Sequence, residues 1–272
     1  DPARNSRPRG LFSGRAGDAW DITEIGVVPF DHGQFVLIPE VPKRVVRVGH
    51  AGESVVGVDL DTPPGEHPAP LTLAFSGGHT ESRDESLVVA GKEFPTTRLS
   101  VESRYVELSD EDGARAARES SETAAIYSTL TPERLWTQPF ATPLPGVDGG
   151  RNFGHRRIFN GEPRAPHSGA DLSAATGTPI RATNRGRVVL AKELFFSGNA
   201  VFLDHGLGVY SVYLHLSAID VALDEIVERG QVIGLAGATG RVTGPHLHWG
   251  VRVLDARVDP FSLLSLTAGA DQ

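Results

Sequence analysis

The sequence predicts a mainly β protein in two parts, joined by a single helix and a proline-rich connector. Three observations carry this reading. Short runs of β-branched and aromatic residues recur along the chain, split by turn residues. Only the segment after Ser109 combines a helix cap with a sustained run of helix formers. The chemistry also changes near residue 150. Residues 1–150 hold 14 basic and 23 acidic side chains and four histidines, whereas residues 151–272 hold 12 basic, 11 acidic and six histidines.

Composition sets the outer limits. A chain of 272 residues is long enough for two domains, and 39% hydrophobic with 22% charged residues suits a globular protein with a real core. The absence of cysteine excludes disulfides, thiolate metal sites and a cysteine nucleophile. A net charge of −8 argues against general nucleic-acid binding. No apolar run approaches the roughly 18–20 residues of a membrane span. The chain opens on Asp1 and contains no methionine, which leads to the expectation that an export signal has been removed ahead of it.

The elements follow in order. Residues 1–18, rich in Arg, Gly, Ser and Pro, read as a loose leader. Residues 19–108 carry the runs Gln34–Ile38, Arg44–Val48, Ser54–Val58, Leu71–Phe75 and Ser86–Ala90, separated by turns such as Pro63-Pro64-Gly65. Their spacing predicts an antiparallel, immunoglobulin-like sandwich. Ser109 reads as a helix cap, with Asp110, Glu111 and Asp112 in the first turn, where they suit the helix dipole, and Ala-rich sequence running to Tyr127. Pro132, Pro139, Pro143, Pro145 and Gly149-Gly150 mark the rest of 109–150 as a linker, which we extend to Asn152. From 151 to 266 the alternation returns in Gly186–Ala191, Ala200–His205, Gly208–Leu216, Gln231–Leu235 and His246–Val253, with one short helical candidate near Leu263. Residues 267–272 form a tail.

Three features of this second half carry chemistry. They are His167 and Asp171, four residues apart; Tyr213-Leu214-His215-Leu216-Ser217; and His246-Leu247-His248. In an extended strand alternate side chains share a face, so His246 and His248 point together and away from an apolar set of Leu247, Trp249, Val251 and Val253. By the same rule His215 shares a face with Tyr213, Ser211 and Val209. Catalytic zinc needs three protein ligands from His and Asp/Glu plus an open position, which these residues can supply. Taken singly, each histidine also reads as a surface or satisfied core residue, and His167/Asp171 as a loop hydrogen bond. No His-Glu-x-x-His, Gly-x-Ser-x-Gly or Walker pattern is present, and Gly237–Gly244 reads as a tight turn feeding the His246 strand.

At these residues the sequence resembles the lysostaphin/LytM-type zinc peptidases of the M23 family. The resemblance covers about 150–264 and rests on Pro166-His167-Ser168-Gly169-Ala170-Asp171, on Gly198–Gly206, on Tyr213–Ser217 and on Gly244–Trp249, in that order. It implies a lysostaphin/LytM-like β domain of barrel-sandwich type. It also implies one Zn²⁺ per chain held by His167, Asp171 and His248, with His215 and His246 beside the reacting water as general base, oxyanion partner and acid. Both are then expected to titrate near neutral pH. Asp204 reads as a turn residue more readily than as a support for a ligand; His205 and His155 read as structural. Arg157, Arg164, Arg241 and Arg252 are candidates either for receiving carboxylates of a peptide substrate or for plain solvated surface.

The function implied is a zinc-dependent endopeptidase acting outside the cytoplasm on the peptide cross-links of bacterial peptidoglycan; D-Ala-to-diamino acid bonds and glycine bridges both stay open as the bond cut, and the lack of a recognisable glycine-bridge targeting module leans to the former. The alternative is a non-catalytic peptidoglycan-binding scaffold or an activator of another wall hydrolase. A phosphocarrier of related architecture is a third reading, which leaves His167 and Asp171 without a task. The N-terminal module is expected to pack near the groove and limit access to it, or to serve as a plain spacer.

Overall fold

The computed structural model describes residues 25–29, 34–36, 45–50, 53–68, 71–75, 80–83, 86–147 and 149–265. The expected leader (1–18) and tail (267–272) lie outside these residues.

Toward the N-terminus the backbone forms β1 (Ile25–Pro29), β2 (Gln34–Val36), β3 (Val45–His50), β4 (Glu53–Val58), β5 (Gly65–Pro68), β6 (Leu71–Phe75), β7 (Thr80–Arg83), β8 (Ser86–Val89) and β9 (Thr96–Leu99). The first eight pair as three small antiparallel sheets, β1-β4-β3, β2-β6-β7 and β5-β8. The runs read from sequence coincide with β2, β3, β4, β6 and β8 to within one or two residues at most ends.

The helix α1 (Asp110–Tyr127) starts where its cap residue predicts. Ser109 Oγ accepts from the Asp112 backbone N–H at 3.1 Å, and the three acids sit in the first turn, where the orphan N–H groups favour negative charge. Glu119 and Glu122 then tie the helix to the second half, accepting from Phe195 N at 2.7 Å and from Lys192 Nζ. Tyr127 closes the helix against Phe202 and Tyr210.

The second half contains β10 (Arg156–Phe159), β11 (Glu162–Arg164), β12 (Gly169–Ser173), β13 (Pro179–Arg181), β14 (Gly186–Leu194), β15 (Gly198–Asp204), β16 (Val209–Leu216), β17 (Ala218–Ile219), β18 (Ile226–Val227), β19 (Val232–Leu235), β20 (His246–Val253) and β21 (Ala256–Val258). A short 3-10 turn at Pro260–Ser265 matches the helical candidate near Leu263. Seven strands make one sheet, ordered β12-β20-β16-β15-β14-β18 with β21 on β20; β13-β19-β17 make a second. One face of the large sheet packs against the small one through Leu172, Ile180, Val188, Val201, Tyr213, Ile233, Leu247, Trp249 and Val251, all buried. Burying this apolar face is what holds the domain together. The opposite face is shared between α1, which covers Leu190, Phe202, Tyr210 and Val212, and the cluster described below.

Two features cross the boundaries expected from sequence. The strand β9 pairs in parallel with β10, so part of the 19–108 segment completes a sheet of the second half. The proline-rich connector is strapped into the core: Trp136, Phe140 and Leu144 are buried there, while Ala141 N donates to Thr183 O and Leu135 N to His205 O. Proline forbids a regular ladder but not burial of the side chains between prolines. A buried pair also docks the N-terminal part. Asp59 accepts from Arg257 N, Nε and Nη2 at 2.7–2.9 Å, and Asp61 receives a further bond from Arg257.

Candidate metal centre

Register builds the centre. In the antiparallel β12–β20 ladder Asp171 lies directly opposite His248, and Ser173 opposite His246. Paired residues share a face, so the carboxylate and both histidines project to the side away from Trp249 and Leu247, as alternation predicts. His167, on the approach to β12, brings its ring to 4.8 Å from that of His248.

The resulting geometry is tight. His167 Nε2, His248 Nδ1 and Asp171 Oδ1 lie 2.9–3.0 Å from one another pairwise. Ligand atoms around a tetrahedral zinc with bonds of roughly 2.0–2.1 Å stand about 3.3 Å apart, so the trio fits such an ion after an opening of a few tenths of an ångström. All three ligand atoms belong to one group within 4.8 Å, the only such group of three or more His and acidic residues among the described residues. Two imidazoles and a carboxylate are a borderline donor set suited to zinc.

His215 reaches the cluster by a route that strict alternation does not foresee. Tyr213, Ser211 and Val209, expected as its face-mates, are buried on the core side. His215 itself has φ +66°, and the β15–β16 register shifts between Asn199 and Val201, so the chain turns over at this point. Its ring therefore faces the other way, 5.0 Å from His246 and 6.1 Å from His248. This corrects the face assigned to His215 from sequence; a one-residue irregularity inverts every alternation argument beyond it.

Backbone carbonyls orient three of the rings. His167 Nδ1 meets Asn152 O at 3.0 Å, His215 Nδ1 meets Thr239 O at 2.9 Å, and His246 Nδ1 meets Gly244 O at 2.8 Å. A carbonyl only accepts, so each Nδ1 carries the proton and each Nε2 presents a lone pair. His246 Nε2 stands 3.6 Å from Asp171 Oδ1.

The electrostatics hold the centre in its ligating state. Burial alone raises the Asp171 carboxyl, but the His167 and His248 imidazoles packed against it outweigh burial and keep the group well below the usual range. Burial pushes His248 down to about 4. Burial, with the nearby His248 and His246 charges, pushes His215 down to about 3. The expectation that His215 titrates near neutral pH is thus overturned, because its ring lies in the closed wall of the site.

The remaining sequence candidates separate clearly. Asp204 accepts from Thr131 Oγ1 and Gly206 N, which makes it a turn residue. His205 is buried between Arg185 O and Ser211 Oγ, and His155 meets Thr97 Oγ1. Arg252 is neither solvated nor a substrate group: its guanidinium lies over the Tyr127 ring and donates to Asp255 O. Arg157 donates to Ala165 O and Pro166 O, and Arg164 to Val106 O. Sequence reasoning missed Asn152. Besides holding His167, it donates through Nδ2 to Asp171 Oδ2 at 3.1 Å and accepts from Asp171 N at 3.0 Å. It lies at the end of a segment whose composition reads as connector, so no sequence signal separates it.

A family model described as Peptidase family M23 matches residues 165–260, which contain all five residues of the cluster. The peptidoglycan DD-endopeptidase ShyA of Vibrio cholerae is 46% identical over 99 residues, covering 36% of this chain and 23% of that protein. The DD-carboxypeptidase/endopeptidase Mpg of Neisseria meningitidis is 43% identical over 97 residues, covering 36% and 22%. The match thus spans less than a quarter of the length of these relatives. A crystal structure from Pseudomonas aeruginosa, described as a "putative peptidase M23", superposes with a TM-score of 0.64 at 33% identity, over 88% of this chain and 92% of that one. That likeness runs through nearly the whole of both chains, and with it the chain belongs to peptidase family M23.

Proposed function

We propose that the chain is a zinc-dependent endopeptidase that hydrolyses peptide cross-links of bacterial peptidoglycan. The observation that carries the reading is the convergence of His167 Nε2, His248 Nδ1 and Asp171 Oδ1 within 3.0 Å of one another, beside His215 and His246. The names of the relatives, as peptidoglycan endopeptidases, support the substrate class. Peptidoglycan lies outside the cytoplasmic membrane, so the reading assigns the chain to the periplasm, the envelope or the exterior. Among the described residues no helix is long and apolar enough to cross a membrane.

In this mechanism His167, Asp171 and His248 hold the ion. When bound, zinc supplies Lewis acidity toward the scissile carbonyl and lowers the pKa of water to about 7. His246 Nε2, partly exposed and with its Nδ1 proton fixed on Gly244 O, accepts the proton of the attacking water. His215, kept neutral by burial and fixed by Thr239 O, orients the reacting groups at its Nε2. The proton taken by His246 passes to the leaving amine. Asn152 keeps the second carboxylate oxygen of Asp171 engaged, which leaves Oδ1 for the ion.

The test is incubation of the zinc-loaded chain with isolated cell walls, followed by mass analysis of the released muropeptides. Loss of D-Ala-to-diamino acid cross-links is expected, and it should vanish with chelation and in His248→Ala. Wall hydrolysis that survives both, in folded protein, refutes the reading. Release from glycine-bridged walls alone would correct the bond assigned. The same reading gives the N-terminal part a restraining role through its Asp59–Arg257 dock; faster wall hydrolysis by Asp59→Asn supports that role, and an unchanged rate counts against it.

A further inference from the structure

The chemistry above leaves unused a belt of cations and aromatic rings in the second half of the chain. The Arg241 guanidinium sits 4.8 Å from the Phe159 ring and 4.5 Å from the Phe196 ring. Arg157 lies over the other side of the belt, 5.4 Å from Phe159. Tyr105 packs on Phe195 and Phe196 and closes the far end.

The three arginines nearest the centre are not equivalent. Arg157 is committed to Ala165 O and Pro166 O, immediately before the ligand His167. Arg164 is committed to Pro163 O and Val106 O. Arg241 is half-buried, yet among the described residues no hydrogen-bond acceptor or carboxylate meets its guanidinium; only the two rings do. A half-buried guanidinium that meets rings and no protein acceptor keeps its donors for solvent or a ligand, and here burial together with the charges of Arg157 and Arg164 pushes it down to about 10. A protein that merely packed this position would gain from an apolar residue or an acidic partner.

Its place in the chain ties Arg241 to the centre along two short paths. Thr239, two residues before it, holds His215 through its carbonyl. Arg241 N donates to Phe196 O, and the next carbonyl, Ser197 O, accepts from His215 N. On the other side Phe159 shares a strand with Arg157, which fixes the approach to His167. Backbone bonds thus tie the Arg241 segment to His215, and its ring partner Phe159 sits on the strand of the residue that fixes the approach to His167.

We propose that Arg241 is a specificity-determining residue that receives a carboxylate of the peptide substrate, with Phe159 and Phe196 holding its plane for a bidentate contact. The inference rests on the peptidase reading and names the chemistry of the ligand: an acidic peptide bound through a free carboxylate close to the scissile bond.

The experiment uses the full zinc-loaded chain and two synthetic cross-linked peptides that differ only in one carboxylate, free in the first and amidated in the second. The wild type should favour the free acid, and Arg241→Met, which keeps the packing between the rings, should lose that preference through a rise in KM of about tenfold or more on the acid and little change on the amide. Arg241→Lys should keep part of the preference. A merely structural role would lower both substrates together, and that result, or an unchanged ratio, overturns the proposal. Equilibrium binding of the same two peptides by calorimetry separates the two readings. If the wild type cleaves neither peptide, the peptidase reading fails, while an Arg241-dependent difference in affinity still supports the carboxylate subsite and its absence refutes it.

Discussion

Gly169 gives the sharpest quantitative handle on the centre. It faces Gly250 across the β12–β20 ladder, with the His248 ring lying against its Cα. A Cβ built at Gly169 would stand 2.5 Å from His248 Nε2, 2.8 Å from His248 Cε1 and 2.6 Å from Trp249 O. On one side the obstacle is the backbone of a central strand, and on the other a ring whose Nδ1 is committed to the cluster. Restoring ordinary contact near 3.4 Å needs a displacement of several tenths of an ångström, and metal ligands tolerate only about 0.2 Å. The ring is the softer of the two, so His248 moves.

Gly169→Ala should therefore weaken zinc binding by about 10–100-fold, or roughly 1.4–2.8 kcal/mol, with a further strain of about 1–3 kcal/mol in the fold. Gly250→Ala is the control. Its Cβ would meet Val212 Cβ at 3.4 Å and His248 Nε2 at 3.8 Å, ordinary contacts on the same face of the same sheet. Competition with a chromophoric chelator reads the affinities, and thermal unfolding of the metal-free proteins reads the strain. Equal zinc affinity in folded Gly169→Ala and wild type, or equal losses in the two glycine variants, would refute the argument.

Other predictions follow from the same contacts. Asn152→Ala removes both side-chain bonds to Asp171 and should cost about tenfold or more in zinc affinity while leaving the chain folded, as the chelator competition would show. Asp59→Ala strands a largely buried Arg257 and should lower the unfolding free energy by about 3 kcal/mol in urea titrations, whereas Asp61→Ala, at a side chain 49% exposed, should cost under about 1 kcal/mol. Burial lowers His205 from 6.5 to about 4, so above pH 6.5 both folded and unfolded chains hold it neutral. As the pH falls below 6.5 the unfolded chain takes up the proton first, and about 3 kcal/mol of stability is lost by the time the folded pKa is reached. His205→Gln should show a correspondingly flatter loss of stability between pH 7 and 4.5, and parallel curves would count against the assignment.

Much of this was legible in the residues. Alternation in His246–Val253 gives both the buried set and the outward pair, since all that decides it is which side of one strand is apolar. The cap at Ser109 gives the start of the helix, and Asp110–Asp112 its polarity. What alternation cannot give is a break in itself. The turnover at His215 lies in a non-glycine residue with φ +66°, held by bonds that its N and Nδ1 donate to Ser197 O and Thr239 O, both distant in sequence. The connector failed to declare its burial for a related reason. Its prolines announce irregular backbone: Trp136, Phe140 and Leu144 recur at the four-residue spacing of a helix face, but Pro139 and Pro143 forbid the helix that would give this spacing meaning, so the pattern does not mark them as core.

The deeper limit concerns orientation rather than identity. The side chains that ligate can be named because only His and acidic residues bind in this way. Their usefulness, however, depends on which ring nitrogen carries the proton, and that is decided by Asn152 O, Thr239 O and Gly244 O. Every residue offers a carbonyl, so sequence carries no mark of the three that serve. All three come from irregular segments, where carbonyls are not consumed by a ladder and remain free to accept. The regular sheet thus supplies the spacing of Asp171 and His248, and the irregular loops supply the protonation pattern around them. A centre on strands alone would have the right residues in mixed tautomers; with these carbonyls, His167, His215 and His246 all present Nε2 to the same small volume.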